Sequence, residues 1–350
     1  MLINDLFLSL VKINTMNKDR LKEVLSIPSV YGEEGLVRDY IQTYAENEGI
    51  EYEIDKKGNI YLTKGSEKMT EGEYYPCVVA HMDTVHKKHT PLVYLNQRLD
   101  IVESPYEHSQ YESETLTALT ARLPETNIQT GIGGDDKCGV AVCLEMLDHF
   151  HVMKAAFFVE EEIGMMGSKE ADEKFFRNVG YAIQFDAPSS NWITEVCSGQ
   201  RLFDIDFKEL ITEDLSNNGY TSFSNDPFTD VNQLAQKFNF CCLNLGCGYY
   251  SQHTPSEYVI IKEVEDAIRA GKSLISKLRL EYYEHKKNVS ILTEEDNTTF
   301  YDDELGEFYD GELKTMSKDI TEGVSHMINM GYDKDEISEY VYQFLEENYY

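Results

Sequence analysis

Three short runs of apolar residues constrain the fold of this chain most: PCVVAH at 76–81, KAAFFVE at 154–160 and GYAIQFD at 180–186. Strands buried on one face alternate apolar and polar residues, whereas continuous apolar runs fit the centre of a sheet that is covered on both faces. Between the first two runs, segment 137–150 has apolar residues at helical spacing. Strands alternating with helices predict an α/β fold, with a mixed, mostly parallel central sheet and helices on both faces.

The rest of the chain extends this pattern up to about residue 285. The further predicted elements are helices at 17–46 with a break at Pro28, a hairpin in EYEIDKKGNIYLTKG, an edge or half-buried strand at 201–207, a helix in DVNQLAQKF, a strand in NFCCLNLGCG and a closing helix at 257–285. Residues 85–130 are polar, and we predict that they form an excursion over the surface with two strands.

The net charge and the cysteine content limit which partners and which cellular compartment the sequence is compatible with. Its net charge of −32, from 63 acidic and 31 basic residues, argues against nucleic acid and against an anionic membrane as partners. The sequence has no run of about 18 apolar residues that would indicate a membrane span. Seven cysteines without a CxxC pair predict reduced core thiols in a cytoplasmic protein.

Histidines and carboxylates follow the predicted strands at the points where those strands end. They are His81 after CVVA, Asp135 before the helix at 137, Glu160, Glu161 and Glu162 after AAFFV, Asp186 after QF, and His253 after GCGYYSQ. Taken singly, each has an ordinary explanation as a capping residue or a solvated acidic helix start. Because the carboxyl ends of parallel strands meet at one edge of a sheet, we expect these groups to converge there.

Two imidazoles and three carboxylates in one pocket require cations, because like charges repel and raise the carboxylate pKa values. Two divalent ions would offset the three negative charges and leave a net positive site. Nitrogen and oxygen ligands without thiolates suit zinc, with cobalt or manganese as alternatives. A pair of ions about 3.5–4 Å apart activates water and stabilises an oxyanion. The sequence therefore predicts a hydrolytic site with two metal ions.

The motifs HMDTV, GIGGDDKCG, EEEIGMMGS, QFDAP and QHTPSEY, in this order, resemble those of the co-catalytic di-metal peptidase clan. They are most similar to the M20 family, in particular its peptidase T branch, and are similar to the M28 and M42 aminopeptidases. The resemblance covers roughly residues 17–285. It implies the fold of the phosphorylase/hydrolase-like zinc exopeptidases and a short peptide as the substrate.

The resemblance also implies a set of metal ligands. His81 and Asp186 would bind one ion, Glu162 and His253 would bind the other, and Asp135 would bridge the two. In the resembling families the peptide bond after the bridging aspartate is cis, so the bond after Asp135 is expected to be cis here.

Further residues of the same motifs would act beside the ions. The resemblance implies that Asp83 orients a ligand imidazole and that Glu161 is the general base, which leaves Glu160 as a solvated turn residue. Tyr249 and Tyr250 in GCGYYSQ are candidates to donate a hydrogen bond to an oxyanion. Packing in the core or at its rim is the alternative for both tyrosines.

The chain departs from the resembling families in one respect. M20 enzymes insert a lid or dimerisation domain between the ligands that align with Asp186 and His253, and M42 enzymes insert a domain between those that align with His81 and Asp135. Both intervals are too short for an additional domain here. We therefore expect a core without a lid domain, built as in the M28 family, with segment 85–130 as the main candidate for substrate contacts.

Composition suggests how the chain is divided. We predict an N-terminal tail or extra helix at 1–16, a di-metal peptidase domain at 17–286, an acidic linker at 287–314 and a small helical module at 315–350. The boundary near 286 rests on a change to acidic, tyrosine-rich composition.

The leading interpretation is a metal-dependent exopeptidase that hydrolyses short peptides, in particular an aminopeptidase. An N-acyl amino acid deacylase of the same clan is the alternative within hydrolases. A non-catalytic, degenerate member of the family is the third hypothesis, and the presence of every ligand position and of Glu161 argues against it. The metal, the side-chain preference and the oligomeric state stay open.

Overall fold

Fourteen strands form two sheets in the part of the chain that the computed structural model describes, namely residues 16–86, 92–96, 117–123, 126–226 and 228–286. The strands are β1 (Glu51–Ile54), β2 (Ile60–Lys64), β3 (Tyr75–His81), β4 (Leu92–Asn96), β5 (Ala118–Arg122), β6 (Gln129–Thr130), β7 (Met153–Phe158), β8 (Val179–Ala187), β9 (Trp192–Cys197), β10 (Gln200–Arg201), β11 (Ser222–Asp226), β12 (Cys241–Gly246), β13 (Tyr249–Tyr250) and β14 (Tyr258–Ile260).

The larger sheet has nine strands in the order β1-β2-β7-β3-β8-β12-β9-β10, with β11 paired to β9. Its four central strands, β7, β3, β8 and β12, run parallel, and the strands on either side of them pair in the antiparallel sense. Every residue of β3, β7 and β12 is buried, as their continuous apolar sequences require. The predicted fold class, an α/β protein with a mixed, mostly parallel central sheet, is confirmed.

Two groups of helices pack on this sheet. The helices of the described residues are α1 (Lys18–Leu25), α2 (Gly35–Glu48), α3 (Gly134–His149), α4 (Met166–Lys169), α5 (Glu173–Phe176), α6 (Ile205–Asn217), α7 (Asp230–Lys237) and α8 (Ile261–Leu278). Helix α3 packs on β3 and β8 and contacts α1 and α8, while α7 contacts α4 and the strands β12, β3 and β8. The long central helix α3 carries the glycine-rich turn GIGGDD at its start.

The second sheet is antiparallel and has the order β13-β14-β5-β4, with β6 paired to β5. Segment 85–130 supplies three of its strands, one more than predicted, and the segment that follows β12 supplies the other two. The interval between Asp186 and His253 holds only β9 to β13, α6 and α7, so the described residues include no lid domain there.

The prediction of an edge or half-buried strand at 201–207 is wrong, because α6 begins at Ile205. Asp204 caps this helix, and its carboxylate accepts a hydrogen bond from the amide of Phe207 at 3.0 Å. The buried side chains of α6 follow helical spacing beyond the seven residues that suggested alternation. An aspartate that accepts a hydrogen bond from the amide three residues later stabilises the start of a helix.

The closing helix is shorter than the predicted span 257–285. Helix α8 covers Ile261–Leu278, and the three residues before it form β14, which pairs with β5. Glu257 precedes this strand and is fully buried. Pairing with β5, which is distant in the sequence, therefore determines the conformation of residues 258–260.

The predicted acidic linker (287–314) and helical module (315–350) lie outside the described residues, as does the predicted N-terminal segment except for Met16. Within the described residues, none of the helices combines the length and the apolar composition needed to cross a membrane. All seven cysteines are buried free thiols.

Asn59, just before β2, connects the start of that strand by hydrogen bonds to the turn that follows β7 and to helix α4. Its Oδ1 accepts a hydrogen bond from the amide of Val159 at 3.1 Å, and its Nδ2 donates to the carbonyl of Gly167 at 3.1 Å. A Cβ at Gly167 would lie 2.4 Å from Val159 O and 2.5 Å from Asn59 Oδ1. This close approach fixes the turn between β7 and α4.

Gly167→Ala is expected to destabilise the protein by about 1–3 kcal/mol, because a methyl group forced into a packed site displaces its neighbours. Gly35→Ala is the matched control, since the nearest atom to its Cβ, Arg38 Nη2, would be 3.6 Å away. Thermal unfolding of the two variants measures the difference. Equal midpoints would contradict the close packing at Gly167.

Candidate metal centre

The structure brings together the five residues that the sequence predicted as metal ligands. His81 is the last residue of β3, Asp186 lies near the end of β8, Glu162 follows β7, Asp135 lies in the first turn of α3, and His253 follows β13. The peptide bond between Asp135 and Asp136 is cis, as the resemblance implied.

Asp135 lies between the two imidazoles. Its Oδ1 is 3.1 Å from His81 Nε2, and its Oδ2 is 3.2 Å from His253 Nε2. Asp186 Oδ1 lies 3.5 Å from His81 Nε2, and Glu162 Oε2 lies 3.0 Å from His253 Nε2. One imidazole and one carboxylate therefore flank each side of Asp135, which is the arrangement that a pair of ions with a bridging carboxylate requires.

Asp83 orients both His81 and the acidic turn. The Nδ1 of His81 lies 3.1 Å from the carbonyl oxygen of Asp83 and 3.3 Å from its Oδ1. Both are acceptors, so Nδ1 carries a hydrogen, and Nε2 is the nitrogen that faces Asp135 and would bind a metal. The same carboxylate accepts hydrogen bonds from the amides of Glu161 and Glu162, at 3.0 and 3.1 Å.

The three consecutive glutamates have different surroundings. Glu160 has a positive φ of 54° and pairs with Lys57, so it is an ion-paired turn residue and not only a solvated one. Glu34, which is buried, accepts a hydrogen bond from the Glu160 amide at 3.2 Å. Glu162 contacts an imidazole at 3.0 Å, whereas the nearest imidazole nitrogen to Glu161 Oε2 is 3.9 Å away. Glu162 is therefore held more closely than Glu161.

The two tyrosines before His253 point to different places. The hydroxyl of Tyr249 lies 3.3 Å from Asp186 Oδ1, so it reaches the cluster. The hydroxyl of Tyr250 donates to Glu263 at 2.6 Å, and its ring stacks on Tyr258 at a centroid distance of 5.2 Å. Only Tyr249 is brought to the candidate site.

Burial dominates the electrostatics of these acids. It raises the pKa of the Glu161 carboxyl well above its usual value, despite the opposing effect of His81. Burial, with Asp135 nearby, raises the pKa of Glu162 to about 7. Burial also acts on Asp135, but hydrogen bonds with His253 and His81 outweigh it and lower the pKa of that carboxyl. Cations within the cluster would favour the ionised form of every carboxylate.

The donor set fits divalent ions. Ligand atoms of His81, Asp135 and Glu162 lie within 4.8 Å of one another, a spacing that fits metal coordination. Glu162 Oε1 is buried and has no hydrogen-bond partner. A buried carboxylate oxygen without a partner is costly, and coordination of a cation would satisfy it.

Asp136 also lies near the cluster, within reach of an ion held by His81 and Asp186. Both of its oxygens already accept backbone hydrogen bonds, however, from the amides of His81 and Gly139 at 3.1 Å each. We therefore assign Asp135 to the centre of the cluster and Asp136 to the support of the turn.

Two side-chain amides that were not among the predicted site residues hold Asp186. Asn244 Oδ1 accepts from the Asp186 amide at 2.9 Å, and its Nδ2 donates to the Asp186 carbonyl at 2.8 Å. Gln184 Nε2 donates to Asp186 Oδ2 at 3.0 Å. A lone amide inside an apolar strand run, as in YAIQF and CCLNL, was the signal for both, because buried polar groups need a specific partner.

Asn244→Asp is expected to destabilise the protein by about 1–3 kcal/mol, because a carboxylate would face the Asp186 carbonyl where the amide now donates. Asn218→Asp is the control, since Asn218 Nδ2 donates one bond to the carbonyl of Asp214 at a helix end. Chemical denaturation of both variants gives the comparison. The account of Asn244 is wrong if its variant is no less stable than the control.

The similarities of this chain to known proteins lie among solved structures. The chain matches no protein-family model and no curated protein. An aminopeptidase PepT from Bacillus cereus aligns with a TM-score of 0.58 and 14% identity, over 75% of this chain and 99% of the other. A tripeptidase from Staphylococcus aureus aligns with a TM-score of 0.55 and 14% identity, over 74% and 98%. An aminopeptidase from the archaeon Desulfurococcus kamchatkensis gives 0.53 and 14%, over 79% and 98%. At these identities the similarity establishes a shared fold: the chain has the fold of these peptidases.

Proposed function

We propose that this chain is a metal-dependent exopeptidase that hydrolyses short peptides, and specifically an aminopeptidase. One observation carries the proposal: two imidazoles and three carboxylates converge at one edge of the sheet, with the Glu161 carboxylate beside them. The structures of similar fold are those of two aminopeptidases and a tripeptidase, which supports short peptides as substrates.

His81 and Asp186 would hold one divalent ion, Glu162 and His253 the other, and Asp135 would contact both. The nitrogen and oxygen donors favour zinc, with cobalt or manganese as alternatives. When bound, two ions would polarise the scissile carbonyl and lower the pKa of the attacking water.

Glu161 is the proposed general base. Its side chain is about one-tenth exposed and its Oε2 lies 3.9 Å from His81 Nε2, so it borders the ligands without being fixed by an imidazole. It would accept a proton from water during attack and donate that proton to the leaving amine. Asp83 supports this role, because it holds the Glu161 amide and fixes the tautomer of His81.

Tyr249 has a different proposed role from the oxyanion donor that the sequence suggested. Its hydroxyl lies within reach of Asp186 Oδ1, where it would orient a ligand carboxylate. Segment 85–130 remains the candidate for substrate contacts, since its described strands join the small sheet whose β13 carries Tyr249.

Metal analysis of the full chain, purified without chelator, followed by a substrate panel tests the proposal. The panel contains aminoacyl amides, di- and tripeptides with a free amino terminus, the same peptides N-acetylated, and N-acyl amino acids. We expect two ions per chain and hydrolysis that requires the free amine. Cleavage of N-acyl amino acids alone would favour the deacylase, and failure to bind metal would end the catalytic interpretation.

A further inference from the structure

A fully buried carboxylate outside the predicted ligand set holds the turn that carries Asp135. Glu257 Oε2 accepts a hydrogen bond from the amide of Gly133 at 2.7 Å and lies 2.6 Å from His86 Nε2. Its other oxygen, Oε1, accepts from the amide of Asp135 at 3.2 Å. Glu257 is 0% exposed, so these three contacts, and not water, satisfy its oxygens.

His86 and the small sheet enclose the same turn from two sides. A Cβ at Gly131 would lie 1.9 Å from His86 Cε1, so the imidazole packs directly on the backbone there. A Cβ at Gly134 would lie 2.7 Å from Val259 Cγ2. The glycines of GIGGD therefore allow the turn to enter a space that a side chain would fill.

We infer that Glu257 and His86 are positioning residues that hold Asp135 between the two metal sites. This inference rests on the proposed function and adds two residues outside the proposed ligand set. The side chain of Asp135 can reach both imidazoles only if its backbone stays in one place, and the Asp135 amide bond to Glu257 fixes that backbone. His86 in turn fixes the orientation of the Glu257 carboxylate.

Glu257 links two segments that are far apart in the sequence and that carry different proposed ligands. It lies four residues after His253 and directly before β14, whereas Asp135 opens α3. The Glu257 bonds to Gly133 and Asp135 thus fix the bridging ligand relative to the segment of the second histidine. Residues that orient metal ligands typically change metal affinity by 10–100-fold when they are replaced.

Glu257→Gln is the first test, because glutamine keeps the shape and loses one acceptor. An amide oxygen turned toward Gly133 and His86 would leave an NH₂ group facing the amide of Asp135. Zinc titration of the metal-stripped full chain should show two-ion affinity reduced by about 10–100-fold. The cobalt-loaded variant should also have an altered visible absorption spectrum, which reports ligand geometry.

Glu145→Gln is the matched control. Glu145 is a buried carboxylate on the same helix α3, and it accepts hydrogen bonds from Arg20 and the amide of Asn17. Its replacement should lower thermal stability but leave zinc affinity and the cobalt spectrum unchanged. A purely structural role for Glu257 predicts the same behaviour for both variants.

A second pair of variants tests the contact with His86 independently. Gly131→Ala should weaken zinc binding, because the new methyl group collides with the imidazole. Combining it with His86→Ala removes the collision, so the double variant should bind zinc no more weakly than His86→Ala alone. Equal zinc affinity of Gly131→Ala and the wild type would overturn the packing argument.

The outcomes separate this inference from the proposed function. If the wild type binds two ions and Glu257→Gln binds them with equal affinity and an unchanged cobalt spectrum, the positioning role is overturned and the metal centre stands. If the wild type binds no metal, both are overturned. A loss of affinity in the Glu257, His86 and Gly131 variants, with the affinity of Glu145→Gln unchanged, supports the inference.

Discussion

Glu161→Gln is expected to lower turnover by roughly 10²–10⁴-fold, the usual contribution of a positioned acid or base, while the protein keeps two ions. Glutamine has nearly the shape of glutamate but cannot take up a proton and pass it on. The structure supports retention of metal, because Glu161 Oε2 is 3.9 Å from the nearest imidazole nitrogen and lies beside the ligand cluster. Steady-state kinetics with a tripeptide and metal analysis of the same sample test both parts.

Glu162→Gln is the matched comparison at the next position. Glu162 Oε2 lies 3.0 Å from His253 Nε2, and its other oxygen is buried without a hydrogen-bond partner. An uncharged amide there should lower metal affinity and thermal stability together with activity. If instead Glu161→Gln loses metal and Glu162→Gln retains it, the assignment within the acidic triplet is wrong by one residue.

The features that the sequence predicted best are local and repeated. The buried strands β3, β7 and β8 appear as apolar runs, and a histidine or a carboxylate lies at or just after the end of each, as at His81 and Asp186. Because parallel strands deliver their carboxyl ends to the same edge, a list of strand ends is also a list of neighbours in space. The convergence of the five groups could therefore be predicted without knowledge of the strand order.

The features that the sequence did not reveal depend on contacts between distant segments. Strands β13 and β14 are two and three residues long, and they exist because they pair with each other and with β5. Their own sequences are too short to carry a periodic signal. The predicted helix at 257–285 consequently starts four residues too early and includes the buried Glu257, which precedes β14.

Residues that support the ligands were missed for a related reason. Asn244 and Gln184 lie inside apolar runs and look like tolerated exceptions, although each holds Asp186 through hydrogen bonds. The partner of Asn244 lies on the neighbouring strand β8, and the Oε1 of Gln184 accepts from Thr229 and Val231 at the start of α7, at separations that no sequence pattern fixes. An isolated buried amide indicates that a partner exists, but only the strand order identifies it.

Asp135→Asn should have the largest effect, because Asp135 is the only one of the five proposed ligands that lies between both imidazoles. Its two oxygens are 3.1 Å from His81 Nε2 and 3.2 Å from His253 Nε2. Asparagine offers one oxygen and turns an NH₂ group toward the other imidazole, so it cannot contact two ions as an acceptor. We expect binding to fall from two ions to one or fewer, and turnover to fall by about 10⁴-fold or more, as when a member of a catalytic unit is removed.

Asp136→Asn provides the contrast that makes this result specific. Asp136 is also buried and adjacent, but its oxygens accept backbone hydrogen bonds from His81 and Gly139. Asparagine would keep only one of those acceptors, so thermal stability should fall while two ions still bind. Isothermal titration with zinc, run on both variants at matched concentration, distinguishes the roles. If Asp136→Asn abolishes metal binding and Asp135→Asn preserves it, Asp136 is the bridging ligand, and the geometry argued from the two imidazoles is wrong.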